Sequence, residues 1–326
     1  FGPRPQDFFA CNAPIKGLYE LGVEIEENSE LDLLVSYKEH AGDPRIEEVC
    51  KDMAAEMGEG HYYPDLLARM AQFELTLLDW AENHKGSKKY VAFADKCWPA
   101  FPSQFGFEPC YVNSRLASRG IPVACEVDIY GALSEYIGMC ASGDTVTLLD
   151  INNSVPKYIY DEDITGKFHY KLTDTFMGFH CGNTPSCKMC SDRAVKYQLI
   201  QHRLLEPAGS DPDFTRGTLE GDIAPSDITF YRLQCDSEGQ LRAYIAQGEI
   251  LPVATRSFGG IAIFAIPEMG RFYRHVLIQK RYPHHGAVAF GHYGKTLFEV
   301  FKFLGIADIA YNQPKSLPYP TENPFA

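Results

Sequence analysis

Four short stretches of this 326-residue chain gather acids, imidazoles and thiols into patterns that could do chemistry. In Cys125-Glu126-Val127-Asp128 an apolar run ends in two acids just before a helical pattern. Carboxylates at the carboxyl end of a strand in an α/β sheet point into the crevice where ligands bind. Asp128 reads as the helix N-cap. Capping does not explain Glu126, because a carboxylate ending an apolar run is costly unless it is paired or metal-bound. In Leu148-Leu149-Asp150-Ile151-Asn152-Asn153 an acid again ends an apolar strand, and a structural turn aspartate is an equally open reading. The third stretch is Tyr282-Pro283-His284-His285-Gly286, followed by Gly291-His292-Tyr293-Gly294. Adjacent histidines in a strand face opposite ways, so one of the pair would enter a given site. The fourth is Gly178-Phe179-His180-Cys181-Gly182-Asn183, then Cys187 and Cys190.

Two oxygen acids with one or two imidazoles suit Mn²⁺ or Mg²⁺, with positions left open for substrate oxygens. A structural zinc on Cys187 and Cys190 would need four ligands, usually in two close pairs. His180 and Cys181 could complete such a set, but the spacing is irregular and no second Cys-x-x-Cys exists; the other reading makes His180 a ligand of a separate catalytic metal. The chain has no Gly-x-Gly-x-x-Gly and no phosphate-binding loop, so nucleotide chemistry has no support. Ser103 and Ser257 lack a nucleophile elbow.

Composition narrows the partners. The net charge of −13, from 43 acidic against 30 basic side chains, repels phosphate backbones and anionic membranes. No apolar run approaches the roughly 18–20 residues needed to span a bilayer. The opening Phe1-Gly2-Pro3-Arg4-Pro5 shows no basic-then-apolar leader and reads as the middle of a longer protein. Ten cysteines, mostly inside apolar segments, are expected as reduced thiols in the cytoplasm.

The elements that must position these residues change character near residue 143. Before it, Pro64 opens a helix with Leu66, Met70, Phe73 and Leu77 on one stripe, and a second helix follows Asp128. Short runs at 31–37, 90–94 and 121–125 have the length of buried strands. After residue 143, strands are expected at 145–150, 157–160, 228–234, 241–247, 260–266 and 272–278. Asp236-Ser237-Glu238-Gly239 reads as a hairpin turn and 295–304 as a helix. The expectation is an open α/β sandwich domain over 1–142, followed by a mostly β, barrel-like domain over 143–326.

On these residues the chain resembles the L-fucose and L-arabinose isomerase family. The opening Gly2-Pro3-Arg4-Pro5-Gln6-Asp7-Phe8 is similar to the start of that family's middle domain, so the family's first α/β domain has no counterpart in this stretch. Glu126 with Asp128 resembles the first metal-ligand segment. Asp150 resembles the second acid as fucose isomerases have it, and His285 the late ligand of both branches. Gly178-x-His180 resembles the place of an additional histidine ligand in arabinose isomerases.

The resemblance implies interconversion of an aldose and its ketose through a cis-enediol, with a sugar of the L-fucose, L-arabinose or D-arabinose type. Mn²⁺, with Mg²⁺ or Co²⁺ as alternatives, would be held by Glu126, Asp150, His285 and His180. Glu126 and Asp150 would double as the acid/base pair. Candidate substrate contacts are Trp98, Gln104 and Asn152. Trp98, Phe101, Gln104 and Phe105 read equally well as a sugar-stacking stretch and as core, and Arg4 equally well as a substrate contact and as half of a structural pair. A trimeric or hexameric homo-oligomer is implied, with the site completed by a neighbouring subunit's first domain. The competing readings are a carbohydrate-binding relative without turnover and a metal-dependent hydrolase or lyase.

Overall fold

The computed structural model describes residues 1–61, 63–197, 216–323 and 325. Helices come first in the chain. A short turn, α1 (Lys16–Tyr19), precedes α2 (Glu30–Glu39), where a strand is expected over 31–37. Ser29 caps α2: its hydroxyl accepts from Asp32 N at 3.2 Å, while its own N–H donates to Asp32 Oδ2 at 3.0 Å. That reciprocal capping box starts a helix whose buried residues, Leu33, Leu34 and Tyr37, follow helical spacing. The run is apolar enough for a strand, but its cap and its period are those of a helix.

Next come α3 (Ile46–Met57), α4 (Pro64–His84), α5 (Cys110–Ser118) and α6 (Ile129–Ser142). As the spacing predicts, Pro64 opens α4, and Leu66, Met70, Phe73 and Leu77 are buried along it. They share a core with Phe101, Phe105 and Phe107. Between these helices lie two parallel strands, β1 (Phe93–Asp95) and β2 (Val123–Cys125), with Asp95 opposite Cys125.

The rest is dominated by one large sheet. Its strands are β3 (Val146–Asn153), β4 (Thr175–His180), β5 (Ala194–Tyr197), β6 (Arg216–Asp222), β7 (Ser226–Cys235), β8 (Leu241–Ile250), β9 (Gly260–Ala265), β10 (His285–Phe290) and β11 (Asp308–Tyr311). The order is β11-β8-β7-β10-β3-β4-β9-β6-β5. A further pairing of β8 with β9, through Glu249–Ala265 and Ile250–Phe264, bends the sheet round on itself. The closure is short, so the sheet is ring-like and not a barrel. The β7–β8 hairpin turns where expected, with Asp236 Oδ1 accepting from Glu238 N and Gln240 N at 2.9 and 3.0 Å.

Two further expected strands are helical instead. Residues 157–160 form α7 (Lys157–Ile159), running into a π-helical turn over Tyr160–Ile164. Residues 272–278 belong to α8 (Met269–Phe272) and a π-helical turn over Tyr273–Ile278. Phe272, Val276 and Leu277 are buried at helical spacing, while Tyr273 and Ile278 face outward. The late helix is α9 (Gly294–Phe303). Helix α6 lies on the large sheet, its Tyr130 and Ile137 packed among Leu148, Tyr231, Leu233 and Ala287. That contact brings the start of α6, and with it Glu126 and Asp128, to the strands that carry Asp150 and His285.

Candidate functional site

Three central strands and one helix start build the site. β3 runs between β10 and β4, and its register sets Asp150 directly opposite His285 on one side and Phe179 on the other. His180 follows Phe179 where the β3–β4 pairing stops. Potential ligand atoms of Asp150, His180 and His285 lie within 4.8 Å of one another. Two glycines beside the site make room for rings from the flanking strands β7 and β9. A Cβ on Gly286, next to His285, would stand 2.1 Å from the Phe230 ring, and one on Gly178 would stand 2.3 Å from Phe264.

Asp150 Oδ1 lies 3.0 Å from His285 Nε2 and 3.7 Å from His284 Nε2. Both histidines of the pair therefore reach the same carboxylate. His284 sits just before β10 begins, so strict strand alternation does not separate it from His285. His180 is almost fully buried, and its Nδ1 accepts a hydrogen bond from Cys181 N at 2.9 Å.

Glu126 arrives from the β2–α6 turn. Val127 holds a φ of 62°, rare for a β-branched residue and characteristic of functional turns. The turn is braced by Val127 N–H to Asp95 O at 2.8 Å and by the Cys11 thiol, which donates to Glu126 O at 2.9 Å. The Glu126 carboxyl stands outside the tight Asp150–His180–His285 cluster but within reach of the charges of His285, Asp150, Asp128 and Asp7. Asp128 caps α6 by accepting from Gly131 N at 2.9 Å. The same side chain accepts from His285 Nδ1 at 2.8 Å and from two arms of Arg232 at 2.7 and 2.8 Å.

Burial and charge pull these groups apart. Burial lifts Glu126 to about 7, with the His285 charge opposing and the neighbouring acids adding. Burial would lift Asp150 too, but the contact with His285 wins and holds it at about 2. His180 is pushed down to about 4 by burial. His285 is buried as well, yet Asp128 and Asp150 on its two nitrogens outweigh that and raise it to about 10. Burial and the facing carboxylates thus shift the two histidines of the cluster in opposite directions.

The candidate substrate contacts are less converged. Trp98 meets Phe8 edge-on at 5.8 Å, and Phe8 stands 5.8 Å from the His284 ring, so Trp98 reaches the site through Phe8. Gln104 is exposed on the turn Phe101–Phe105. Phe101 and Phe105 themselves pack into the helical core against Phe73 and Phe107. Core packing is therefore what Phe101 and Phe105 do, with Trp98 partly buried against the same core and Gln104 left exposed. Asn152 is exposed, and a register shift between Ile151 and Asn153 separates it from the regular alternation of β3. Arg4 takes the structural option, donating to Ala13 O at 3.4 Å and standing 3.6 Å from Glu27. Among the described residues neither Cys187 nor Cys190 belongs to a cluster able to hold a metal. A second cluster, His40–Asp43–Asp79, is engaged with Arg45, which binds both acids. The ten cysteines form no disulfide, and no described helix is long and apolar enough to cross a membrane.

Sequence reasoning missed Arg232 and Gln234. Both are fully buried on β7, two residues apart and hence on one face. An arginine and a glutamine inside the otherwise apolar Phe230–Cys235 run were the available signal, since buried polar groups need partners.

Residues 178–311 match the family model described as L-fucose isomerase, C-terminal domain. The chain resembles the L-fucose isomerase family. The matched span carries His180, Arg232 and His285, while Glu126 and Asp150 lie ahead of it. Among curated relatives of this fucose isomerase-like chain, the sulfoquinovose isomerase of Priestia megaterium is 23% identical over 316 residues, covering 95% of this chain and 63% of that protein. The sulfoquinovose isomerase of Clostridium sp. (strain MSTE9) is 26% identical over 185 residues, 54% of this chain and 34% of that protein. That of Alkalicoccus urumqiensis is 24% identical over 246 residues, 73% and 47% of the two lengths. The chain thus spans less than two thirds of the length of the relatives it matches.

Proposed function

We propose that this chain is the metal-binding catalytic portion of an aldose–ketose isomerase. The observation that carries the reading is the convergence of Asp150, His180 and His285 beside Glu126. The relatives, named as isomerases of a sugar, support the reaction class.

The residues fit a divalent ion. Glu126 Oε2 and Asp150 Oδ1 are buried and make no hydrogen bond among the described residues. Asp150 Oδ1 stands 3.0 Å from His285 Nε2 without a hydrogen bond between them. Buried carboxylate oxygens left in this state are expensive unless a cation meets them. Carboxylate oxygens and neutral imidazoles together suit Mn²⁺, with Mg²⁺ or Co²⁺ able to replace it. Asp150 and His285 would hold the ion with Glu126, and His180 would add a ligand once its bond from Cys181 N–H gives way. Bound there, the ion would stabilise negative charge developing on the sugar's O1 and O2 and acidify the adjacent C–H.

The chain's own groups then move protons. In the aldose-to-ketose direction the C2 proton is carried to C1, and the O2 hydroxyl proton to O1. Glu126 and Asp150 are the pair that takes and returns them, as carboxylates held within reach of carbon and oxygen. Phe8 and Trp98 form an apolar wall on the His284 side, suited to the C–H face of a monosaccharide. The substrate is a monosaccharide aldose, and the working assembly is a cytoplasmic homo-oligomer, trimeric or hexameric.

The test is isomerisation by the full-length protein with Mn²⁺, over a panel of neutral aldoses and sulfoquinovose, read by NMR in D₂O. Ketose formation with deuterium entering at C1 or C2, abolished by E126Q and by D150N, is the expected result. Metal and sugar binding with no exchange in any member of the panel would favour a carbohydrate-binding role.

A further inference from the structure

Helix capping accounts for one of the hydrogen bonds that Asp128 makes. An N-cap needs a single acceptor oxygen, and serine or asparagine would provide it without burying a charge. Asp128 is instead fully buried and accepts from Gly131 N, from His285 Nδ1 and from both terminal nitrogens of Arg232. Arg232 is equally buried, and its remaining donors are also committed. Nε and Nη2 reach Gln234 Oε1 at 3.0 and 2.7 Å, and Nη1 reaches the backbone oxygen of His285 at 3.3 Å. An ion pair taken wholly out of water is at best weak support for stability. This one lies behind an imidazole of the candidate metal centre and grips it at ring and backbone.

We propose that Asp128, held ionised and immobile by Arg232, is a positioning residue for His285. It keeps a proton on Nδ1 and presents Nε2 to the space shared with Asp150. The inference rests on the reading of the site as a metal centre.

The two histidines of the cluster show the contrast. A carboxylate paired to a guanidinium can only accept, so His285 Nδ1 must be the donor and Nε2 is the nitrogen left to bind an ion. His180 is wired the other way: its Nδ1 accepts from Cys181 N–H, which leaves the proton of the neutral ring on Nε2. Of the two, His285 is therefore the prepared ligand. The Asp128 link ties it to the start of α6, and the Arg232 link ties it to β7, the strand beside β10. Carboxylate–histidine pairs of this kind orient metal-binding imidazoles, and losing the carboxylate typically lowers metal affinity 10–100-fold.

Removing Asp128 alone would strand the buried Arg232, so the variants are D128N and the paired D128N/R232Q, in which both charges leave together and asparagine keeps the cap. Mn²⁺ affinity is measured by calorimetry on the full-length protein, beside H285A. Histidine ¹⁵N spectra of the Mg²⁺-loaded protein report which ring nitrogen carries the proton. The expected result is a folded double variant that binds Mn²⁺ about 10–100-fold more weakly, with His285 in the wild type protonated at Nδ1. Wild-type affinity in the double variant, or a His285 protonated at Nε2, overturns the positioning role while H285A still loses binding. Mn²⁺ binding that ignores H285A would instead overturn the reading of the site itself.

Discussion

Glu108 shows how burial can dominate a side chain's behaviour. It is fully buried ahead of α5, and burial pushes it up to about 8, with the Cys97 thiol opposing and the Asp95 charge adding. At neutral pH it keeps its proton in the folded chain, whereas the unfolded chain releases it near 4.5. The unfolded state therefore binds fewer protons between those values, and stability falls as pH rises from about 4.5 to about 8. Urea denaturation across that range should show a shallower decline, or a steeper rise, in E108Q relative to wild type, in the sense that E108Q loses the component Glu108 contributes. The same pH dependence in both proteins would contradict it. The candidate site was legible from sequence to the extent that residue type and strand end suffice. Glu126, Asp150 and His285 each close or open an apolar run next to a turn signal. Arg232 was not legible as a partner of Asp128, because the pairing depends on β7, β10 and α6 meeting in space.

Among the elements, strands that alternate or end in charge were readable, and β3, β7, β8 and β9 fall where the pattern puts them. Apolar runs without alternation were not. Residues 31–37, 157–160 and 272–278 were short enough for strands, and helical caps or spacing decided otherwise. For α2 the deciding signal, Ser29 with Asp32 three residues on, was present in the sequence. The ring closure of the sheet rests on only two β8–β9 pairs, Glu249–Ala265 and Ile250–Phe264, which the strand pattern on either side does not announce. Gly286 is where an element constrains the site most directly. An added methyl would press on Phe230 and force β10 outward, carrying His285 from Asp150. G286A should lower stability by about 1–3 kcal/mol, as overpacking of a full core does, and weaken Mn²⁺ binding as well. Unchanged stability together with unchanged affinity would show that β10 does not need that close approach.

For the molecule as a whole, the helical layer and the ring-like sheet are joined by α6, and the site lies at that join. Glu126 and Asp128 come from its N-terminal end, while Asp150, His180 and His285 come from three neighbouring strands of the sheet. No single segment holds the site, so its integrity reports on the assembly of both parts. A bound ion would link them further and stabilise the folded chain by about 2.7 kcal/mol at a hundredfold excess over Kd. The most direct test is titration of the full-length protein with Mn²⁺ by calorimetry, comparing wild type with D150N, H285A, H180A and E126Q. The account predicts one ion per chain, with binding abolished in D150N and H285A, strongly weakened in E126Q, and weakened least in H180A, whose ring must first release Cys181 N–H. Binding that is absent in the wild type, or indifferent to D150N and H285A, would contradict the claim that this cluster is a metal centre.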